Sequence, residues 1–245
     1  MAHAGREQLM ADLRERVARM EGRTLRRTAA HPFGVAALDD HLPGGGLALG
    51  ALHEVMSDDE DHAAPAALFI AAVLARRAGP VLWCLARRDL FAPALAAVGL
   101  HPDRVLFAET GRGRDVLAAM EEGLRHSSLA GVVGETARLG LTPSRRLQLS
   151  AGASGVPAFA LRRGLAHPEP TAAHARWRIS AAPSAALPAQ GLGRGRWRIE
   201  LVRCRGAEPR AWLLEAPDAE GRLAPPPDLA DGSRAPQRAC RASTS

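Results

Sequence analysis

The sequence predicts an α/β protein in which a mainly parallel central sheet is flanked by helices and extended by antiparallel strands. Two patterns predict this class. Short apolar segments, four to six residues long, alternate with segments of helical periodicity, as parallel strands joined by crossover helices do. After Gly164, tryptophan alternates with arginine, which indicates antiparallel strands with one buried face.

The parallel part is predicted to begin with a strand over Ala51–Met56, which follows a glycine turn at Gly44–Gly46. A helix rich in alanine and leucine is predicted from Ala63 to Arg77, and Gly79–Pro80 ends it. The remaining apolar segments predict strands at Val81–Leu85, Val105–Ala108, Leu129–Val133 and Val156–Leu161. Helices are predicted between them, from Asp89 or Phe91 to Val98, over Asp115–His126 and over Ser144–Ala153.

Alternating segments at Ala175–Ile179, Gly195–Leu201 and Trp212–Leu214 predict the antiparallel extension. Tryptophan beside arginine can bind single-stranded nucleic acid by base stacking and phosphate contact. Alternate side chains of a strand point to opposite faces, however, so the tryptophans are expected in the core. The other face remains a candidate nucleic-acid surface, partner surface or solvated surface, and its residues are Arg176, Arg178, Arg196, Arg198, Arg203 and Arg205.

Three regions are predicted along the chain: an N-terminal helix with a basic linker over residues 1–30, the core over 31–216, and a disordered tail over 217–245. The N-terminal helix is amphipathic and can dock on the core or on a partner protein. Its apolar face is formed by Leu9, Leu13, Val17 and Met20.

Composition narrows the functional classes. The net charge is +6 and no lysine is present, so all 32 basic residues are arginines; this permits contact with nucleic acid or an acidic partner. The three cysteines have neither disulfide nor metal-site spacing. Because no secretory or membrane-spanning segment is evident, we expect a cytoplasmic protein without a membrane partner.

The segment between the first strand and its helix has the position of a phosphate-binding loop but not the chemistry. If Ser57 takes the place of the first glycine, His62 replaces the second, Ala63 the lysine and Ala64 the Mg²⁺-binding hydroxyl. Four carboxylates lie between Ser57 and His62. Each carboxylate close to a phosphate charge contributes roughly 1 to 4 kcal/mol of repulsion, so this loop should repel a triphosphate. These carboxylates belong to Asp58, Asp59, Glu60 and Asp61.

The opening of the core resembles that of RecA/RadA recombinases, in Phe33-Gly34-Val35, Leu38, Leu42, the glycine turn, Gly50 and His53-Glu54-Val55. Over roughly residues 30 to 216 the chain is similar to the ImuA family, RecA-like proteins encoded in bacterial mutagenesis cassettes. The resemblance implies a RecA-like, P-loop NTPase-type fold with a degenerate phosphate loop.

The resemblance also places the catalytic positions of a recombinase. A water-activating acid would follow the second strand, where Arg87 stands, and an aspartate holding the Mg²⁺ shell would end the fourth, where Glu135 stands. We therefore expect a pseudo-ATPase without catalytic residues, cofactor or metal.

The function that the resemblance implies is a non-catalytic accessory role in SOS-induced mutagenesis and translesion DNA synthesis, at the nucleoid. The implied partners are an inactive, ImuB-like Y-family polymerase-like protein and an error-prone replicative-type polymerase. RecA and single-stranded DNA are further candidates. Two alternatives stay open: a DNA-dependent ATPase with a non-standard site, and an SOS cell-division inhibitor.

Overall fold

Ten strands and five α-helices make up the part of the chain that the structure, a computed structural model, describes: residues 29–57, 63–87, 90–163, 169–184 and 194–226. The strands are β1 (Ala30–His31), β2 (Leu47–Ala48), β3 (Leu52–Met56), β4 (Val81–Leu85), β5 (Val105–Glu109), β6 (Gly131–Glu135), β7 (Ala158–Arg162), β8 (Ala175–Ala182), β9 (Arg196–Cys204) and β10 (Arg210–Glu215). The helices are α1 (Ala36–Asp39), α2 (Ala64–Ala75), α3 (Ala92–Ala96), α4 (Gly113–Gly123) and α5 (Leu141–Ser154).

Eight of these strands form one sheet, in the order β10-β9-β8-β3-β7-β6-β4-β5. All pairings from β8 to β5 are parallel, whereas β8, β9 and β10 pair antiparallel with one another. The five predicted core strands therefore lie in a single parallel sheet, which confirms the predicted fold class. Four of them differ by one or two residues from the predicted bounds, and Glu135 is the last residue of β6.

Helices cover both faces of the parallel part. Val133 of β6 packs in the same cluster as α2 and α3, while its neighbour Val132 packs with α4 and α5. Successive residues of a strand point to opposite faces, so the two helix pairs lie on opposite sides of the sheet. Helix α2 is apolar around most of its circumference and is almost wholly buried. Arg104 closes its carboxyl end by donating from Nη1 to the Ala75 carbonyl at 2.9 Å.

The segment before the core sheet forms a small antiparallel ribbon of β1 and β2. The glycine turn makes this ribbon possible, because a Cβ at Gly46 would lie 2.4 Å from the His31 carbonyl oxygen. In the chain, α1 lies between the two strands of the ribbon and β2 leads on to β3. The Trp212 indole of β10 donates to the Ala37 carbonyl at 3.0 Å. The two ends of the described core are thereby joined.

The antiparallel extension buries its tryptophans, as predicted. Trp177, Trp197 and Trp212 pack in the same cluster as α2. The pairing of β8 with β9 shifts register between Arg176 and Trp177, so that Arg203 stands opposite Arg176 although Leu201 stands opposite Trp177. This bulge carries Arg203 to the face opposite the tryptophans.

The predicted tail boundary at residue 217 is wrong, because residues 217–226 pack on the core. Leu223 is buried, and a Cβ at Gly221 would lie 2.6 Å from the Ala72 carbonyl oxygen. The Glu215 N–H donates to the Ala224 carbonyl at 2.8 Å along the outer edge of β10. A single leucine among glycine, arginine and proline gives no periodicity, which is why the sequence did not indicate this packing.

Several predictions fall outside the described residues: the N-terminal helix, the loop residues 58–62 and the rest of the tail from 227. Within the described ranges, no helix combines the length and the apolar character needed to cross a membrane.

Candidate functional site

A cavity of about 470 Å³ opens at the carboxyl ends of β4, β6 and β7. It is lined by Ala86, Arg87, Glu135, Thr136, Ala137, Leu161 and Arg163. The neighbouring strands β4 and β6 lead into helices on opposite faces of the sheet, α3 and α5. In open α/β sheets, ligands bind in the crevice that such a divergence creates. The structure thus brings Arg87 and Glu135, both indicated by the sequence, to one site.

Glu135 is tied into the fold by both carboxylate oxygens. Oε1 accepts a hydrogen bond from the Trp83 indole at 2.8 Å, and Oε2 pairs with Arg163 Nη2 at 2.6 Å. Its side chain is only 12% exposed. The carboxylate therefore links the ends of β4, β6 and β7, and a metal shell would have to compete with both contacts.

Arg87 projects into the cavity from the loop after β4 and is exposed. Among the described residues, none forms a hydrogen bond or ion pair with its guanidinium. A cation at this position cannot accept a proton from water, so it cannot perform the general-base step that a carboxylate would.

The described flanks of the acidic loop are Ser57 and Ala63. Ser57 is buried, and its N–H donates to the Arg162 carbonyl at 3.2 Å. Helix α2 begins with Ala64 and Pro65, and no side chain caps it. Ala63 and Ala64 therefore offer neither a positive charge nor a hydroxyl to a phosphate group.

A buried ionic network lies beside this edge of the sheet, and the sequence analysis missed it. Glu54 of β3 pairs with Arg162 at 3.1 Å and with Arg176 at 3.0 Å. It also accepts a hydrogen bond from the Thr171 hydroxyl. Charged residues inside apolar strands were the available signal, since buried charges are almost always paired.

The network extends to the segment that follows β7. Arg162 pairs with Glu169 and donates to the Ala137 carbonyl at 3.1 Å. The hydrogen bond from Arg162 holds the pKa of Glu169 below its ordinary value. Arg176 donates to the Glu169 carbonyl at 2.8 Å. Arg162 and Arg176 thus hold Glu169, which precedes β8, against the core.

The six predicted surface arginines do lie on the side of the extension away from the tryptophans, but several are engaged. Glu200 pairs with Arg178 at 3.4 Å and also with Arg198. Arg203 donates to the Ala173 carbonyl at 2.8 Å, and burial lowers its pKa.

The remaining three arginines differ in exposure. Arg205 donates to the Ala172 carbonyl at 3.1 Å, and the side chain of Arg176 is only 11% exposed. Arg196 lies at the start of β9 and is half-buried. The face is therefore less cationic than its arginine count. The side chain of Arg198 is 59% exposed although it pairs with Glu200, and the side chain of Arg196 forms no hydrogen bond or ion pair with another described residue.

Two buried histidines stand near β3. His53 donates through Nε2 to the Ala48 carbonyl at 2.8 Å, and burial lowers its pKa to about 3. Its ring centroid lies 6.0 Å from that of His174. In the described ranges, no three histidine, cysteine, aspartate or glutamate side chains are grouped as metal ligands.

The strand order, the two helix layers and the cleft at the strand ends define a RecA-like α/β protein. The crystal structure of the RadB recombinase superposes with a TM-score of 0.56 and 15% identity, covering 80% of this chain and 99% of that one. The chain belongs to the ImuA family: it is 38% identical over 216 residues to Protein ImuA of Caulobacter vibrioides, in strains NA1000 / CB15N and ATCC 19089 / CIP 103742 / CB 15. That alignment spans 82% of this chain and 88% of the relative. No protein-family model matches the chain.

Proposed function

We propose that this protein is a non-catalytic RecA-like accessory factor in damage-induced (SOS) mutagenesis and translesion DNA synthesis. It acts as an adaptor between an inactive, ImuB-like Y-family polymerase-like protein and an error-prone replicative-type polymerase, in the cytoplasm at the nucleoid. Membership of the ImuA family and the RecA-like fold support this role.

The observation that carries the proposal is the chemistry of the cleft. Phosphoryl transfer needs positive charge on the phosphates, a held Mg²⁺ and a positioned nucleophile. Here α2 begins with alanines, Glu135 is engaged by Trp83 and Arg163, and Arg87 brings a cation rather than a carboxylate to the cleft. A fold that has lost these parts retains its surfaces for partners.

The test is a binding experiment with purified proteins. The polymerase-like protein from the same mutagenesis cassette and the error-prone polymerase should each bind the full chain, and the three should co-elute as one complex. RecA serves as a third bait. Absence of binding to both polymerases would contradict the adaptor role.

One observation favours the alternative of a DNA-dependent ATPase. The cavity at the strand ends has the size of a ligand pocket, about 470 Å³ against the roughly 300 to 1,000 Å³ that such sites occupy. An arginine from another subunit would then have to supply the missing charge. Turnover of ATP that depends on single-stranded DNA would move this alternative ahead of the adaptor role.

A further inference from the structure

A groove of about 230 Å³ runs between α4 and α5, on the opposite side of the sheet from α2. Helix α4 contributes Arg114, Leu117, Ala118 and Glu121, which recur at the spacing of one helix face. Helix α5 contributes Pro143, Arg146 and Leu147. Leu147 is buried at the floor, and Leu117 is half-buried beside it, so the groove is apolar at its base.

The mouth of the groove is mainly cationic. Arg146 Nη2 pairs across it with Glu121 at 2.6 Å while its side chain stays 66% exposed. Arg114 is 74% exposed and has a neighbouring carboxylate at 3.6 Å, that of Asp115. Helix α5 also carries the exposed Arg145 and contains no acidic residue. Two arginines and one carboxylate therefore line the groove, and Arg145 adds a positive charge on the same helix as Arg146.

Apolar surface continues from the groove onto α5. Leu149 follows Arg146 by three residues, about one helical turn, and is 73% exposed, the largest exposed fraction among the large apolar side chains that the structure describes. The groove is smaller than the roughly 300 Å³ at which small-molecule pockets begin. It suits one large apolar side chain, held by a segment that also covers Leu149.

We propose that the groove between α4 and α5 docks an amphipathic helical segment of a partner protein, through one bulky apolar anchor and a carboxylate within a turn of it. The anchor fills the space over Leu117 and Leu147, and the carboxylate meets Arg145 or Arg146. This is the helix-in-groove mode of recognition, with charge complementarity at the rim. The inference rests on the adaptor function and names the surface that would serve it.

The matched pair of variants is Ala118→Arg and Ala153→Arg. Both alanines are exposed helical positions, and arginine is a good helix former, so neither change should disturb folding. The first fills the groove, whereas the second adds the same charge to α5 outside it. Leu149→Ser gives an independent reading of the outer contact. Thermal unfolding of all three should match that of the parent chain.

The probe is a set of overlapping 20-residue peptides covering the Y-family polymerase-like protein, with affinities measured by fluorescence anisotropy. The parent chain should capture a peptide that carries leucine, phenylalanine or another bulky apolar residue beside aspartate or glutamate. Ala118→Arg should weaken this binding at least tenfold and Leu149→Ser severalfold, while Ala153→Arg stays within twofold.

If no peptide is captured, or if Ala118→Arg and the parent chain bind the peptide equally, the groove between α4 and α5 is not a docking site. The intact polymerase-like protein separates this outcome from a failure of the adaptor role. If the intact protein binds the parent chain and Ala118→Arg equally, the proposed docking site is wrong and the adaptor role is retained. If the intact protein binds neither, while the peptide is captured through the groove, the adaptor role is wrong and the docking site is retained.

Discussion

Glu54 and Arg162, which are 108 positions apart in the chain, form an ion pair in the interior, with Nη1 and Oε2 separated by 3.1 Å and both side chains fully buried. Arg176 shares the same carboxylate. The Glu54 carboxylate of β3 thus pairs with one arginine of β7 and one of β8, the two strands that neighbour β3 in the sheet.

Replacing the carboxylate without changing its shape should therefore destabilise the fold. Glu54→Gln removes the buried carboxylate that Arg162 and Arg176 share and leaves Arg162 only the partly exposed Glu169, so we expect a loss of about 3 to 5 kcal/mol in the free energy of unfolding. Urea denaturation measures it. The control is Glu122→Gln, whose partner Arg125 and own side chain are both more than half exposed, and which should change stability little. Equal effects of the two changes would contradict the buried network.

Stability should fall as the pH is lowered from about 6.5 toward 4. Burial lowers the pKa of His53 to about 3 and that of His174 to about 4, so in this interval the unfolded chain binds protons that the folded chain does not. Each histidine contributes about 1.4 kcal/mol per pH unit within its interval.

The substitution that tests this is His53→Gln, because the amide can still donate to the Ala48 carbonyl and does not titrate. The variant should lose stability less steeply between pH 6.5 and 5 in urea denaturation. His126→Gln changes an exposed histidine and should keep the parent slope. A parent chain equally stable at pH 6.5 and 5 would rule out the effect.

We expect no heat on titration of ATP and Mg²⁺ into the protein at micromolar to millimolar concentrations. The chain offers no lysine, and Ala63 and Ala64 begin α2. Ala63→Lys alone should not restore binding, because the acidic residues of the loop remain. Saturable binding that loop substitutions abolish would instead support an ATPase.

Any affinity for single-stranded DNA should depend on Arg196 and Arg198. Changing both to serine should weaken binding and reduce the slope of log affinity against log salt by roughly 1.4, since each phosphate contact contributes about 0.7. Arg125→Ser, just after α4, removes an exposed arginine elsewhere and serves as the control. If the parent chain binds no DNA, or the double change has no effect, the face does not contact nucleic acid.

Truncation should distinguish the packed from the undescribed part of the tail. Ending the chain after Pro226 should leave the thermal midpoint nearly unchanged. Ending it after Ala216 exposes the site of Leu223, whose burial contributes about 1.5 to 3 kcal/mol. The midpoint should then fall by roughly 3 to 12 °C. Equal midpoints for the two truncations would show that residues 217–226 contribute nothing.

The strands of the parallel sheet could be predicted from the sequence, because a buried parallel strand is a short apolar run between turn residues. Val81–Leu85 was predicted to the residue for this reason. Arg87 and Glu135 were indicated only by the resemblance to recombinases; the structure brings them to one cleft because they follow or end strands of one sheet. The Glu54–Arg162 pair could not be placed, because periodicity does not reveal which distant strands become neighbours. Nor does it show that Glu200 would neutralise part of the arginine face.

Where Ala224 accepts from Glu215, the chain begins to follow the outer edge of β10, and the next two residues are Pro225 and Pro226. A proline supplies no N–H, so this segment cannot continue as a ladder partner nor offer a full set of donors to another chain. An unpaired edge strand can template aggregation into fibres, and proline at the edge is one way in which proteins prevent it. At its β10 edge, the sheet is therefore protected against pairing with a strand of another molecule. A subunit whose edge strand stays open can instead add further copies of itself by strand pairing.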